Sequence, residues 1–133
     1  MSILNVDIYS AALALIGQSL ESPDVADYDE RAPYLIASFC STVKKLDVDI
    51  RRAKKLEAQN KFSPVCLALE DTFPLCDELT SAASLYVAAM LVIDEDEALS
   101  DSIYDKYCDA IATIMAEGYS SESKSIIDIY DFD

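Results

Sequence analysis

Histidine is absent from this chain, and so is tryptophan. Without histidine there is no imidazole general base, no Ser-His-Asp triad, and the commonest metal ligand is missing. Only two glycines occur in 133 residues, so no glycine-rich phosphate loop can be built. The four cysteines, Cys40, Cys66, Cys76 and Cys108, are widely spaced and include no C-x-x-C pair. That spacing offers no zinc site and does not resemble the disulfide framework of a short secreted domain. The longest strongly apolar run, Leu85 to Ile93, falls well short of the ~20 residues a membrane helix needs. The opening "MSILNVDIYSAALALIGQ" has no basic leader and does not read as a signal peptide. The expectation is a soluble protein of a reducing cytoplasm with reduced, mostly buried cysteines. No catalytic residue, cofactor or metal is expected, since only carboxylates and unactivated thiols remain for chemistry.

Bases are also scarce. Ten Lys and Arg stand against 25 Asp and Glu, a formal charge of −15. Such a chain repels nucleic acid at long range unless its bases cluster. The length suits one domain, which can bury roughly two-thirds of its unfolded surface without help from a metal or disulfide.

What is present is helical periodicity. Ile8, Ala11, Ala12, Leu15 and Ile16 fall on one face of a first helix from Val6 to Ile16, with Asn5 as N-cap and Gly17 as stop. A polar, acidic loop containing Pro23 follows. Leu35, Ile36, Phe39, Val43, Leu46, Ile50 and Ala53 then keep a three-and-four spacing to Leu56. This predicts one long helix starting near Asp29 to Pro33, because proline is tolerated only in a first turn. Pro64 and Pro74 leave room for a short helix or an ordered loop around Val65 to Glu70. A third helix, Asp77 to Ile93, is apolar on nearly every face and so belongs in the middle of a bundle. A fourth, Glu95 to Glu117, has Leu99, Ile103, Tyr107, Ala110, Ile111 and Ile114 inward and Asp101, Asp105 and Asp109 outward, ending at Gly118. The fold class is therefore all-α, a bundle of about four main helices over residues 1–118. Residues 119–133 form an extended C-terminal tail, with "YSSESKS" as linker and "IIDIYDFD" as a short, partly alternating segment.

Four acids in a row, Asp94 to Glu97, invite a metal site. A calcium loop beginning at Asp94 would place Ala98 at position five, Leu99 at the glycine turn and Asp105 at the bidentate position, and it fails there. Helix punctuation accounts for the acids instead, with Asp94 as N-cap, Glu97 three residues later, and negative charge favoured in a first turn. Cys40 and Cys108 fall beside core positions and read as small core residues. Tyr86, Tyr104 and Tyr107 occupy core or core-edge positions.

Two features point to an interface. Seven of the ten bases lie between Lys44 and Lys61, against three acids, Asp47, Asp49 and Glu57. Lys44, Lys45, Arg51, Arg52, Lys54 and Lys55 are either a solvated helix end, favoured by the helix dipole, or a surface that meets an acidic surface on another subunit or DNA phosphates. In the tail, Ile126, Ile127, Ile129, Tyr130 and Phe132 are either a disordered terminus or a docking strand for a neighbour.

The order of these features resembles the small head–tail connector (adaptor) proteins of tailed bacteriophages. The carriers are "NVDIYSAALALIGQSLES" and "DVADYDERAPYLIASFCSTVKKLDVDIRRA", a helix closing on a small turn and an acidic loop into a long helix. The others lie in "FPLCDELTSAASLYVAAMLVIDEDEALSDSIYDKYCDAIATIMAE", an apolar helix, a short acidic break and a closing helix. Many relatives carry a Trp-containing segment after the long helix, and this chain has no Trp. The resemblance implies a structural virion protein at the head–tail junction, made in the host cytoplasm and forming a homo-oligomeric ring, commonly a dodecamer. It implies contact with the portal protein and with tail or stopper proteins. DNA would pass through the channel without specific binding, and no membrane is involved. The charge of −15 supports a different reading, an acidic DNA-mimic or interaction module that inhibits a nucleic-acid-binding host protein.

Overall fold

The computed structural model describes residues 2–118. Among them are five α-helices: α1 Asn5–Leu15, α2 Ala26–Thr42, α3 Lys44–Lys54, α4 Thr80–Val92 and α5 Glu97–Ala116, with a single 3-10 turn, Asp77–Leu79, leading into α4. The all-α bundle is as expected. The tail over residues 119–133, including Ile126, Ile127, Ile129, Tyr130 and Phe132, lies outside the described residues.

The middle of the bundle is α4, which packs against α1, α2 and α5. Its residues Ala82, Ala83, Ser84, Val87, Ala88, Ala89, Leu91 and Val92 are buried, as an all-round apolar helix requires. Small side chains on several faces let three helices approach one axis. The Ser100 hydroxyl donates to the Ala89 carbonyl at 2.9 Å and so pins α5 antiparallel to α4. An aromatic group of Phe39, Tyr86, Tyr107 and Tyr104 joins α2, α4 and α5, with ring centroids 5.3–6.1 Å apart.

Several local expectations are corrected. The buried face of α1 is Asn5, Ile8, Tyr9, Ala12 and Leu13, while Ala11 and Leu15 are exposed. This helix is apolar on so many positions that periodicity alone assigned the wrong edge of the stripe. Asn5 is no cap: it is fully buried, and its amide donates to the Ala68 carbonyl at 2.9 Å. The first turn of α1 is satisfied by a neighbouring strand-like segment. The Asn5 and Val6 N–H groups donate to the carbonyls of Asp71 and Leu69, both at 2.9 Å. Gly17 does stop α1, at φ +76°, with the Gln18 N–H returning to the Leu13 carbonyl at 2.8 Å.

The long helix is two helices. It starts at Ala26, earlier than expected, with Pro33 inside it, and it breaks at Val43. The turns before Pro33 are held by tertiary bonds. The Tyr9 hydroxyl donates to Asp29 at 2.6 Å, and the Arg31 guanidinium donates to the Met90 and Leu91 carbonyls at 2.8 and 3.3 Å. At the break, the Thr42 hydroxyl bonds back to the Ser38 carbonyl at 2.9 Å, and Val43 adopts φ −104°, ψ 15°. The residues between α3 and the 3-10 turn form an ordered loop with no helix. Its Phe73 N–H donates to the Ile3 carbonyl at 2.7 Å, and its Leu67 N–H to the Pro33 carbonyl at 3.1 Å.

The acidic break also resolves differently. The N-cap of α5 is Asp96, whose carboxylate accepts the Leu99 N–H at 3.0 Å, whereas Asp94 is exposed. Glu95 is the acceptor for the Tyr28 hydroxyl, tying this turn to α2. Cys108 is exposed rather than in the core, because it sits one residue round from the buried stripe of Ile103, Tyr107 and Ile114. Tyr104 is largely exposed, while Tyr107 is buried and Tyr86 half-buried.

Candidate interface on α3

The basic segment is built around a buried acid. Asp47 has no solvent exposure and lies on the inner face of α3. Its carboxylate accepts from Arg51 Nε at 2.7 Å, from Gln59 Nε2 at 2.8 Å and from the Cys76 backbone N–H at 2.7 Å. A buried carboxylate needs this degree of satisfaction. Arg51 continues the network, donating to the Glu57 and Pro74 carbonyls, both at 3.1 Å. Together Asp47 and Arg51 bind both ends of the loop after α3 to the helix.

This sorts the six bases expected at an interface. Arg51 is turned inward, with its guanidinium engaged by Asp47 and the loop carbonyls. Lys54 reaches Glu78 at 2.5 Å, and that pairing holds the Glu78 carboxyl below its usual range. Lys44, Lys45, Arg52 and Lys55 are exposed, and the Arg52 side chain remains 68 % accessible although it lies 3.9 Å from Asp49. The spacing of Lys44, Val48 and Arg52 places them along one face of the helix, and Lys55 stands just past its end. Lys44 Nζ sits 5.7 Å from the Phe62 ring, within cation–π range.

Beside this face runs an open groove of about 420 Å³, lined by Val48, Arg51, Arg52, Leu56, Ala58 and Gln59. Leu56 is 47 % exposed, a large apolar side chain left at the surface within a basic rim. The groove exists because α3 ends in a left-handed turn. Lys55 has φ +57°, and the Leu56 N–H returns to the Arg51 carbonyl at 2.9 Å, so the chain reverses and Gln59 comes back to donate to the Lys44 carbonyl at 3.0 Å. The sequence pattern marked the bases but not the groove, because the reversal rests on a lysine where a glycine would have signalled it.

The thiols offer no nucleophile on this side. Burial pushes the Cys40 thiol up to about 12, with the Asp47 charge adding to it. Burial, followed by its hydrogen bond to Asp47, raises Cys76 further still. A thiolate is disfavoured at both positions. Among the described residues no three His, Cys, Asp or Glu side chains gather to hold a metal, and no helix is long and apolar enough to cross a membrane.

Compared with protein-family models, curated proteins and solved structures, the chain matches none.

Proposed function

We propose that this chain is a structural subunit of a tailed-bacteriophage head–tail connector, forming a homo-oligomeric ring below the portal that extends the DNA channel and joins head to tail. The observation that carries the reading is the charge segregation. All but three of the 25 acids lie outside residues 44–61, while most of the bases lie within them. The exposed members Lys44, Lys45, Arg52 and Lys55 all lie on α3 or at its C-terminal cap. A surface of one sign on a subunit of the other sign favours head-to-tail contact, and head-to-tail contacts close into rings when the rotation permits. A strongly acidic subunit can also line a DNA conduit without gripping it. The sequence resemblance supplies the connector identity.

Native mass spectrometry of the protein, alone and mixed with portal protein, combined with electron microscopy of the mixture, tests the proposal. Rings, or assembly on the portal, are expected. A chain that stays monomeric and ignores the portal overturns it.

The formal charge of −15 favours a second reading, an acidic mimic of DNA that occupies a nucleic-acid-binding host protein. The clustered bases count against it. Recovery of a DNA-binding protein as the dominant partner from host lysate would favour it over the connector.

A further inference from the structure

We propose that the groove on α3 is the receptor for this chain's own C-terminal segment, residues 126–133. The groove is lined by the apolar Val48, Leu56 and Ala58 beside the basic Arg51 and Arg52, and Lys55 precedes Leu56 in the chain. Its occupant must therefore offer apolar side chains interleaved with acids. The segment "IIDIYDFD" does so: Ile126, Ile127, Ile129, Tyr130 and Phe132 alternate with Asp128, Asp131 and Asp133, and it contains no base. Three acids of the bundle are already committed: Asp29 to Tyr9, Glu95 to Tyr28, and Asp96 to the cap of α5.

The path is short. The Ser100–Ala89 bond sets α5 antiparallel to α4, so α5 runs past the start of α4 and ends about 10 Å beyond it at ~1.5 Å per residue. The Lys54–Glu78 pair places the last turn of α3 at that same end, since Glu78 lies in the turn that opens α4. Residues 119–125 can span up to about 25 Å at ~3.3–3.6 Å per residue. That reach serves the chain's own groove or that of an adjacent copy. The inference requires neither a phage nor a portal and stands if the ring does not form.

Zero-length carbodiimide coupling of the full-length chain tests it, because an amide forms only between a carboxylate and an amine already in contact. An equal mixture of unlabelled and nitrogen-15 protein is coupled, digested and read by mass spectrometry. Conjugates of Asp128, Asp131 or Asp133 to Lys55 or Lys44 are expected. Label mixing then reports whether the segment comes from the same chain or a neighbour. The double variant Ile127→Ser with Ile129→Ser leaves α3 intact and should lower the yield about tenfold, the loss of at least one buried isoleucine. Tail carboxylates that couple no better to Lys55 and Lys44 than to Lys106 on α5 overturn the proposal. So does a yield that the serine variant leaves unchanged.

Discussion

The carboxylate of Asp47, with no exposure to solvent, accepts the backbone N–H of Cys76 at 2.7 Å across 29 residues of chain. This bond, with the Arg51 pair beside it, decides where the loop after α3 lies and hence where the α3 groove is.

Removing Asp47 strips the acceptor from Arg51, Gln59 and Cys76 together. Asp47→Ala should cost about 3–5 kcal/mol, the range for breaking a buried ion pair from one side. Urea denaturation of the variant measures it. A loss below about 1 kcal/mol, the worth of one ordinary hydrogen bond, would show that the network is not a structural node.

At the start of α5 the two neighbouring acids should behave differently. Asp96→Ala loses the side-chain cap on the Leu99 N–H and should cost about 0.5–2 kcal/mol. Asp94→Ala removes an exposed acid and should be close to neutral. Thermal unfolding of the pair discriminates, and equal losses would place the cap elsewhere.

Alkali should unfold this protein through its tyrosines. Burial, then the hydrogen bond to Glu95, raises Tyr28 to about 12, and burial raises Tyr107 to about 12 from an ordinary value of 10.0. Tyr9 is raised as well, by burial and by Asp29. The folded state holds these phenolic protons more tightly than the unfolded chain does. The stabilisation is complete below pH ~10, shrinks as the unfolded phenols ionise, and is lost by about pH 12. Tyrosinate absorbance followed with circular dichroism should show a late-ionising fraction that appears together with loss of helix. Ordinary ionisation of all eight tyrosines with the helix intact would contradict this.

Thiol alkylation at neutral pH should modify Cys66 and Cys108, which are exposed, and spare Cys40 and Cys76, which are buried. Intact mass should show two adducts on the native chain and four after denaturation. Modification of Cys76 in the native chain would mean that the loop clasped by Asp47 opens readily.

Lys55 stands in the left-handed region, where a side chain is strained and glycine is not. Lys55→Gly should stabilise the fold by about 1 kcal/mol. It should at the same time remove one of the amines through which the tail segment couples. A destabilised variant would show that the lysine side chain supports the turn.

Much of the architecture was legible from local pattern. The separation of α4 and α5, the central place of α4 and the inward face of Ile103, Tyr107 and Ile114 all follow from apolar spacing at three and four residues. That signal is strong where a helix is clearly amphipathic, as in α5, or apolar on every face, as in α4. It failed on α1, where Tyr9 and Leu13 are buried and Leu15 is not, because too many positions were apolar to choose a face. It ran through Val43 without registering a break, since both halves keep one apolar stripe. It treated Arg51 as one more surface base, because nothing local marks the acid it pairs with as buried.

Local residue pattern was enough for the helical class, the burial of α4 and the gathering of bases into one segment, since these depend on residues close together in the chain. Tertiary structure alone decided which side chains do the joining. Asn5, Tyr9, Tyr28 and Asp47 find their partners at Ala68, Asp29, Glu95 and Cys76, each 20 or more residues away. A polar group's worth depends on whether its partner arrives when water leaves, and no local pattern records that arrival.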